Sequence, residues 1–196
     1  MNILLFGVAS VGKSTIGKAL AERMNISFYD GYDELEAYYG KPIRQIQSEY
    51  FLGSGFDDAK SVVYGDILTK HPEDKVIAMC PTYYYTSVRK YVRRPDTVSI
   101  VLEDSPENIY ERGEVFNQRT GGRNDDPALK KRLKKELIDE TRKDITFYEN
   151  TNKHIPLRFN VDGRPVDVCA EKLQELAESV FRNQEERGPV VSLDLK

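Results

Sequence analysis

The chain has 196 residues, with 29 Lys and Arg against 32 Asp and Glu and a formal net charge of −3. This length suits one domain with a substantial core, and without a basic excess nothing supports attraction to a nucleic-acid backbone. No apolar run approaches the ~18 residues of a membrane span, and the first strand starts at residue 2, so neither a membrane partner nor a signal peptide is expected.

Asn2-Ile3-Leu4-Leu5-Phe6 is a short apolar run, as expected of a buried parallel strand. Gly7 to Ser14 follows directly and fits G-x-x-x-x-G-K-[ST], the phosphate-binding loop. From Ser14 to Met24, Ile16, Leu20 and Ala21 recur at helical spacing, with Lys18, Glu22 and Arg23 opposite. The loop therefore lies between a strand and a helix, the context the motif requires. Gly7 and Gly12 let the backbone curl closely around a phosphate. The amides of the loop, through Ala9, Ser10, Val11 and on to Thr15, are expected to hold the phosphates of ATP at the positive end of the helix. Lys13 would reach the β- and γ-phosphates, and the Ser14 hydroxyl would ligate Mg²⁺.

Ile26 to Asp30 reads as a second strand ending in a carboxylate. Ligands of open parallel sheets bind at the carboxyl ends of strands, which aims Asp30 at the phosphate site. Asp33 and Glu34 follow on a turn or first helical turn, where Asp33 reads equally well as a helix cap or a substrate contact. Lys41-Pro42-Ile43 opens a short helix, Phe51 to Phe56 is a flexible break, and a helix is expected from Asp57 to about Lys70. Lys75 to Cys80 is a third strand. Tyr83, Tyr84 and Tyr85 at its carboxyl end line a substrate pocket or pack in the core.

Thr97 to Leu102 is a fourth strand, and Ser105-Pro106-Glu107 starts a helix reaching about Arg112. The stretch 112–126 is rich in Gly and charge and carries Arg112, Arg119 and Arg123. Behind a phosphate loop this is the composition of a lid that excludes water and delivers an arginine to the transferring phosphate. Pro127 to Asn150 reads as one long helical segment, Leu157 to Val161 as a fifth strand, and Asp162-Gly163-Arg164-Pro165 as a tight turn into a helix from Val166 to about Phe181. Residues 1–183 form a single domain on this reading, and 184–196 a loose tail. Cys80 and Cys169 lie in apolar surroundings without C-x-x-C spacing, which predicts reduced core residues in a cytoplasmic protein. His71 and His154 lack ligand-like spacing and are expected at the surface.

The chain resembles shikimate kinases and the wider nucleoside-monophosphate-kinase-like group. The telling pieces are GVASVGKSTIGKALAERM, FYDGYDELEAYYGKPI, SIVLEDSPENIYER and FNVDGRPVDVCAEKL. The resemblance implies an α/β phosphate-loop fold, with a five-stranded parallel sheet of order 2-3-1-4-5, helices on both faces and a lid. It implies that Asp30 helps to hold Mg²⁺, that Arg112 lies against the base, that Arg119 or Arg123 is the lid arginine and that Arg164 flanks the adenine.

Several positions depart from the family pattern. Its second aspartate is here Tyr32, with Asp33 the nearest carboxylate. Its substrate-binding arginine follows a phenylalanine, and after Phe56 this chain has Asp57. Its glycine triplet after the third strand is replaced by Cys80-Pro81-Thr82-Tyr83. The expectation is an ATP- and Mg²⁺-dependent small-molecule kinase, monomeric or weakly dimeric, with the acceptor near Asp33, Asp57, Tyr83 and Tyr84 and with shikimate disfavoured. Nucleotide or sugar acceptors on the same scaffold, or an ATP-binding partner protein without turnover, are the alternatives.

Overall fold

The computed structural model describes residues 1–50, 54–113, 115–116, 123–124 and 126–186. In chain order the described elements are β1 (Asn2–Phe6), α1 (Lys13–Met24), β2 (Ser27–Asp30), α2 (Gly31–Tyr39), α3 (Ile43–Glu49), α4 (Gly55–Lys70), β3 (Lys75–Ala78), α5 (Tyr85–Val92), β4 (Thr97–Glu103), α6 (Pro106–Arg112), β5 (Val115–Phe116), β6 (Arg123–Asn124), α7 (Pro127–Arg132), α8 (Lys134–Asn152), β7 (Leu157–Asn160) and α9 (Val166–Glu186). The main sheet is parallel and runs β2-β3-β1-β4-β7, the order 2-3-1-4-5 that the resemblance implies. A separate antiparallel pair, β5 with β6, stands in the expected lid stretch.

The apolar run of β1 is unbroken because both faces of the sheet are covered. Alternate residues serve opposite layers. Ile3 and Leu5 join Val76, Val98 and Ile100 against Ile16 and Leu20 of α1 and Cys169, Leu173 and Ala177 of α9. Leu4 and Phe6 join Ile77, Met79 and Val101 against Leu35, Ile46, Val63, Tyr64 and Ile67. Both cysteines are free and buried, as expected, and both histidines are exposed. Among the described residues no helix is long and apolar enough to cross a membrane.

The elements differ from expectation in three places. Residues 85–92 form α5, which the sequence hides because Tyr, Thr, Ser and Val are weak helix formers. Tertiary packing makes this helix: Val88 and Tyr91 are buried, and the Tyr91 hydroxyl donates to the Ser61 carbonyl on α4. The segment expected as one long helix breaks at Leu133 into α7 and α8. The final helix continues to Glu186, past the expected end near Phe181, while residues 187–196 of the expected tail lie outside the described residues.

β3 ends at the functional face of the sheet, and its end is held by Tyr64 of α4. The fully buried Tyr64 hydroxyl accepts the Cys80 backbone N–H at 2.8 Å. Tyr64→Phe leaves that buried N–H unpaired and is expected to destabilise the protein by about 1–3 kcal/mol. Denaturant unfolding with an unchanged m-value checks this.

Candidate active site

The phosphate loop is a backbone cup. Gly7 adopts φ +135°, Ser10 +58° and Gly12 +109°. A Cβ at Gly7 would come within 2.6 Å of the Leu102 carbonyl oxygen, so the loop is pressed onto the end of β4 where no other side chain fits. Helix α1 starts with no side-chain cap, leaving its first amides for a bound anion. The Lys13 side chain is buried beneath the loop and donates from Nζ to the carbonyls of Gly7 at 2.9 Å and Val8 at 2.7 Å. Burial pushes its ammonium down to about 8, although neighbouring Cys80 and Asp30 favour the charged form.

Asp30 stands at the carboxyl end of β2, close enough to influence Lys13, and its Oδ1 accepts the Tyr32 N–H at 2.9 Å. It therefore caps α2, the role the sequence offered to Asp33. Asp33 lies exposed on the first turn of that helix, its carboxyl raised by burial and by the nearby charges of Asp30 and Glu36. Ser14 is exposed on the first turn of α1. Ser14 and Asp30 offer hard oxygen donors that suit Mg²⁺, which is commonly held by one or two protein groups together with phosphates and waters. Among the described residues no group of three or more His, Cys, Asp or Glu side chains could hold a metal without such help.

Asp57 of α4 is not at the surface of the site. It was expected to contact substrate, but its side chain has 0 % exposure. Oδ1 is 2.5 Å from Nζ of Lys60, itself 1 % exposed, and Oδ2 accepts the Tyr84 N–H at 2.7 Å. Lys60 Nζ also donates to the Pro81 carbonyl at 2.6 Å and lies over the rings of Phe56 and Tyr83. The pair is a sealed strut between α4 and the loop after β3. Tyr83 is half-exposed and stacks on Tyr148 of α8 at 5.6 Å, while the Tyr84 side chain is exposed.

Just past the end of β4 stands Asp104, which the sequence reading missed. Its nearly sealed carboxylate accepts Ser105 N at 2.8 Å, Asn108 Nδ2 at 2.7 Å, Arg112 Nη2 at 2.6 Å and Gly163 N at 3.2 Å. It ties the end of β4 to α6 and to the turn before α9, with its carboxyl lowered by those donors against burial. An acid between a strand and a Ser-Pro helix start was the available signal. Arg112 and Arg164 are both near enough to influence Cys169, so this hub brings the two expected base-flanking arginines together. Arg164 also donates to the Asn160 carbonyl at 2.7 Å. Arg119 lies outside the described residues, and Arg123 pairs through its backbone with Phe116 in β6. Between the loop tip and α8 lies a cavity of about 130 Å³, bounded by Ala9, Ser10, Tyr110, Glu140 and Asp144.

A family model for shikimate kinase matches residues 9–176. A shikimate kinase of Chlamydia pneumoniae is 36 % identical over 80 residues, covering 40 % of this chain and 45 % of that protein. This chain thus spans less than half the length of that curated relative. A crystal structure of shikimate kinase from Bacteroides thetaiotaomicron superposes with a TM-score of 0.69 at 21 % identity, over 91 % of this chain and 98 % of the other. A gluconokinase from Sinorhizobium meliloti 1021 gives a TM-score of 0.64 at 18 % identity, over 96 % and 97 %. These structures share the fold described above.

Two outcomes follow from the geometry. An anion in the loop favours charged Lys13, while the free protein loses that proton above about pH 8. Affinity for ATP–Mg²⁺ should therefore be level below pH 7 and weaker by about tenfold at pH 9, a dependence that Lys13→Met abolishes in calorimetric titrations. Asp57→Ala strands a buried Lys60 and should cost about 3–5 kcal/mol of stability, read from chemical denaturation.

Proposed function

The chain belongs to the shikimate kinase family, and on that premise we propose that it is an ATP- and Mg²⁺-dependent kinase acting on a hydroxyl of a small molecule. The observation that carries this reading is the cup of Gly7 to Ser14 with Lys13 buried beneath it, at the carboxyl end of a parallel sheet. The acceptor oxygen attacks the γ-phosphorus as the bond to the β,γ-bridging oxygen breaks, and ADP leaves. The acceptor's proton passes to a carboxylate or water. Asp33 is the assigned partner, because burial and Asp30 make its carboxyl more basic than usual.

The loop amides and Lys13 hold the phosphates and neutralise charge on the leaving ADP. Ser14 and Asp30 would hold Mg²⁺, which would offset the charge of the phosphates. Arg112, braced by Asp104, and Arg164, held by Asn160 and Asp162, flank the base. An arginine of the lid, Arg119 or Arg123, completes the site on closure. Nearly all of the acceleration is positioning and electrostatics. Asp57 in place of an arginine leaves no cationic clamp there for a carboxylate, so the acceptor proposed here differs from shikimate.

ATP–Mg²⁺ should raise the melting temperature, and a panel of hydroxylated metabolites should reveal acceptor-dependent ADP release. Lys13→Ala should reduce that release by about 100-fold or more. Absence of any thermal shift with saturating ATP–Mg²⁺ would overturn the kinase reading, and tight ATP binding without transfer to any acceptor would favour a nucleotide-binding partner protein.

A further inference from the structure

One face of α8 connects the phosphate loop with the end of β3. Glu140, Asp144 and Tyr148 follow at intervals of four residues and so stack along one side of the helix. At one end Glu140 and Asp144 wall the cavity over Ala9 and Ser10. At the other, Tyr148 stacks on Tyr83 with an interplanar angle of 21°, and Phe147 meets Tyr83 edge-on at 5.5 Å. Tyr32 faces the same cluster, near both Tyr83 and Tyr148, and burial first, with these neighbours adding to it, holds the Tyr32 and Tyr148 hydroxyls above their usual range.

The charge along this groove is negative. Burial and the neighbouring Glu140 hold the Asp144 carboxyl above its usual range. Neither Glu140 nor Asp144 has a hydrogen bond or ion pair among the described residues. Lys130 shares the cavity wall, but its Nζ donates to the Glu111 carbonyl and lies over the Tyr110 ring. Lys60, below the aromatic floor, is neutralised by Asp57 and sealed from solvent. A carboxylate in the groove would meet two like charges. A neutral polyol would leave the two carboxylates facing a single ammonium, Lys130, among the described residues. An ammonium group satisfies them and is also favoured by the faces of tyrosine rings.

We propose that the phosphoryl acceptor is a hydroxylated cation, an amino alcohol or amino sugar, with its ammonium against Asp144 and Glu140 and its carbon skeleton on Tyr83 and Tyr148. This rests on the kinase reading and names the substrate class of the same site.

Matched triads that differ only in charge test it: ethanolamine, ethylene glycol and glycolate; serinol, glycerol and glycerate; glucosamine, glucose and gluconate. ADP release is measured for each with ATP–Mg²⁺. In at least one triad the amine should exceed both counterparts by tenfold or more in kcat/KM. Asp144→Asn should bring that ratio near one while leaving ATP affinity and melting temperature unchanged. A neutral or carboxylate member that wins its triad, a preference untouched by Asp144→Asn, or no transfer to any amine while ATP–Mg²⁺ still binds, would each overturn the inference. Failure of ATP–Mg²⁺ to bind at all would instead sink the kinase reading beneath it.

Discussion

The described site depends on one constraint: between residues 7 and 13 the backbone must turn through left-handed conformations while pressed against the end of β4. Gly7 lies so close to the Leu102 carbonyl that only hydrogen fits at its side-chain position. This contact places the loop over the sheet and aligns the first turn of α1 with the cup. The same fold buries Lys13, whose cationic form is disfavoured there and is held by the Gly7 and Val8 carbonyls. A phosphate entering the cup meets amides already oriented and a lysine for which an anion is the better partner. That preorganisation is set by the covalent turn and the sheet beneath it, not by side chains a ligand must rearrange.

The two ends of the groove are built from different materials. On the phosphate-loop side the donors are backbone amides and a buried lysine, next to the Asp104 carboxylate that accepts from Ser105, Asn108, Arg112 and Gly163. On the acceptor side, α4, α8 and the loop after β3 contribute side chains. The Asp57–Lys60 pair shows how such a wall changes its character. An ion pair sealed from water presents almost no net charge to the pocket, yet it fixes the Tyr84 amide and the Pro81 carbonyl in place. The pair therefore supplies shape while withholding charge, and the ligand-facing electrostatics fall to residues nearer the surface, Asp33, Glu140 and Asp144.

This division explains which features the sequence revealed. The glycine-lysine spacing, the apolar strands and their helical connections are repeated local signals, and from them the strands and the place of Lys13, Ser14 and Asp30 were legible, while the sheet order came from the resemblance. The resemblance singled out Arg112 and Arg164, which the fold brings near one another beside Cys169. Asp57 misled because its position suggested a ligand contact, whereas its partner Lys60, one helical turn on, could be paired with it only through burial that no local pattern reports. Helix α5 was hidden for a related reason: its residues prefer strands, and only the fit of Val88 and Tyr91 against α4 makes it helical. The break at Leu133 has neither Pro nor Gly to announce it. Asp104 and Asp144 acquire meaning only when distant segments meet, Gly163 on the first and the loop tip beside the second.

A groove of this construction can change its acceptor without disturbing its nucleotide end. The carboxylates of Glu140 and Asp144 contribute little to stability, since both residues are exposed and neither has an ion pair among the described residues. Replacing them alters the field felt by an acceptor over a few ångströms, while Lys13 and the loop amides, fixed by the main chain, keep their geometry. The cost of a mismatched charge falls on acceptor binding, where desolvation makes it large, and not on folding. A phosphate cup determined by backbone and an acceptor wall determined by side chains are thus separable, and the acidic face of α8 is where this chain expresses its own choice.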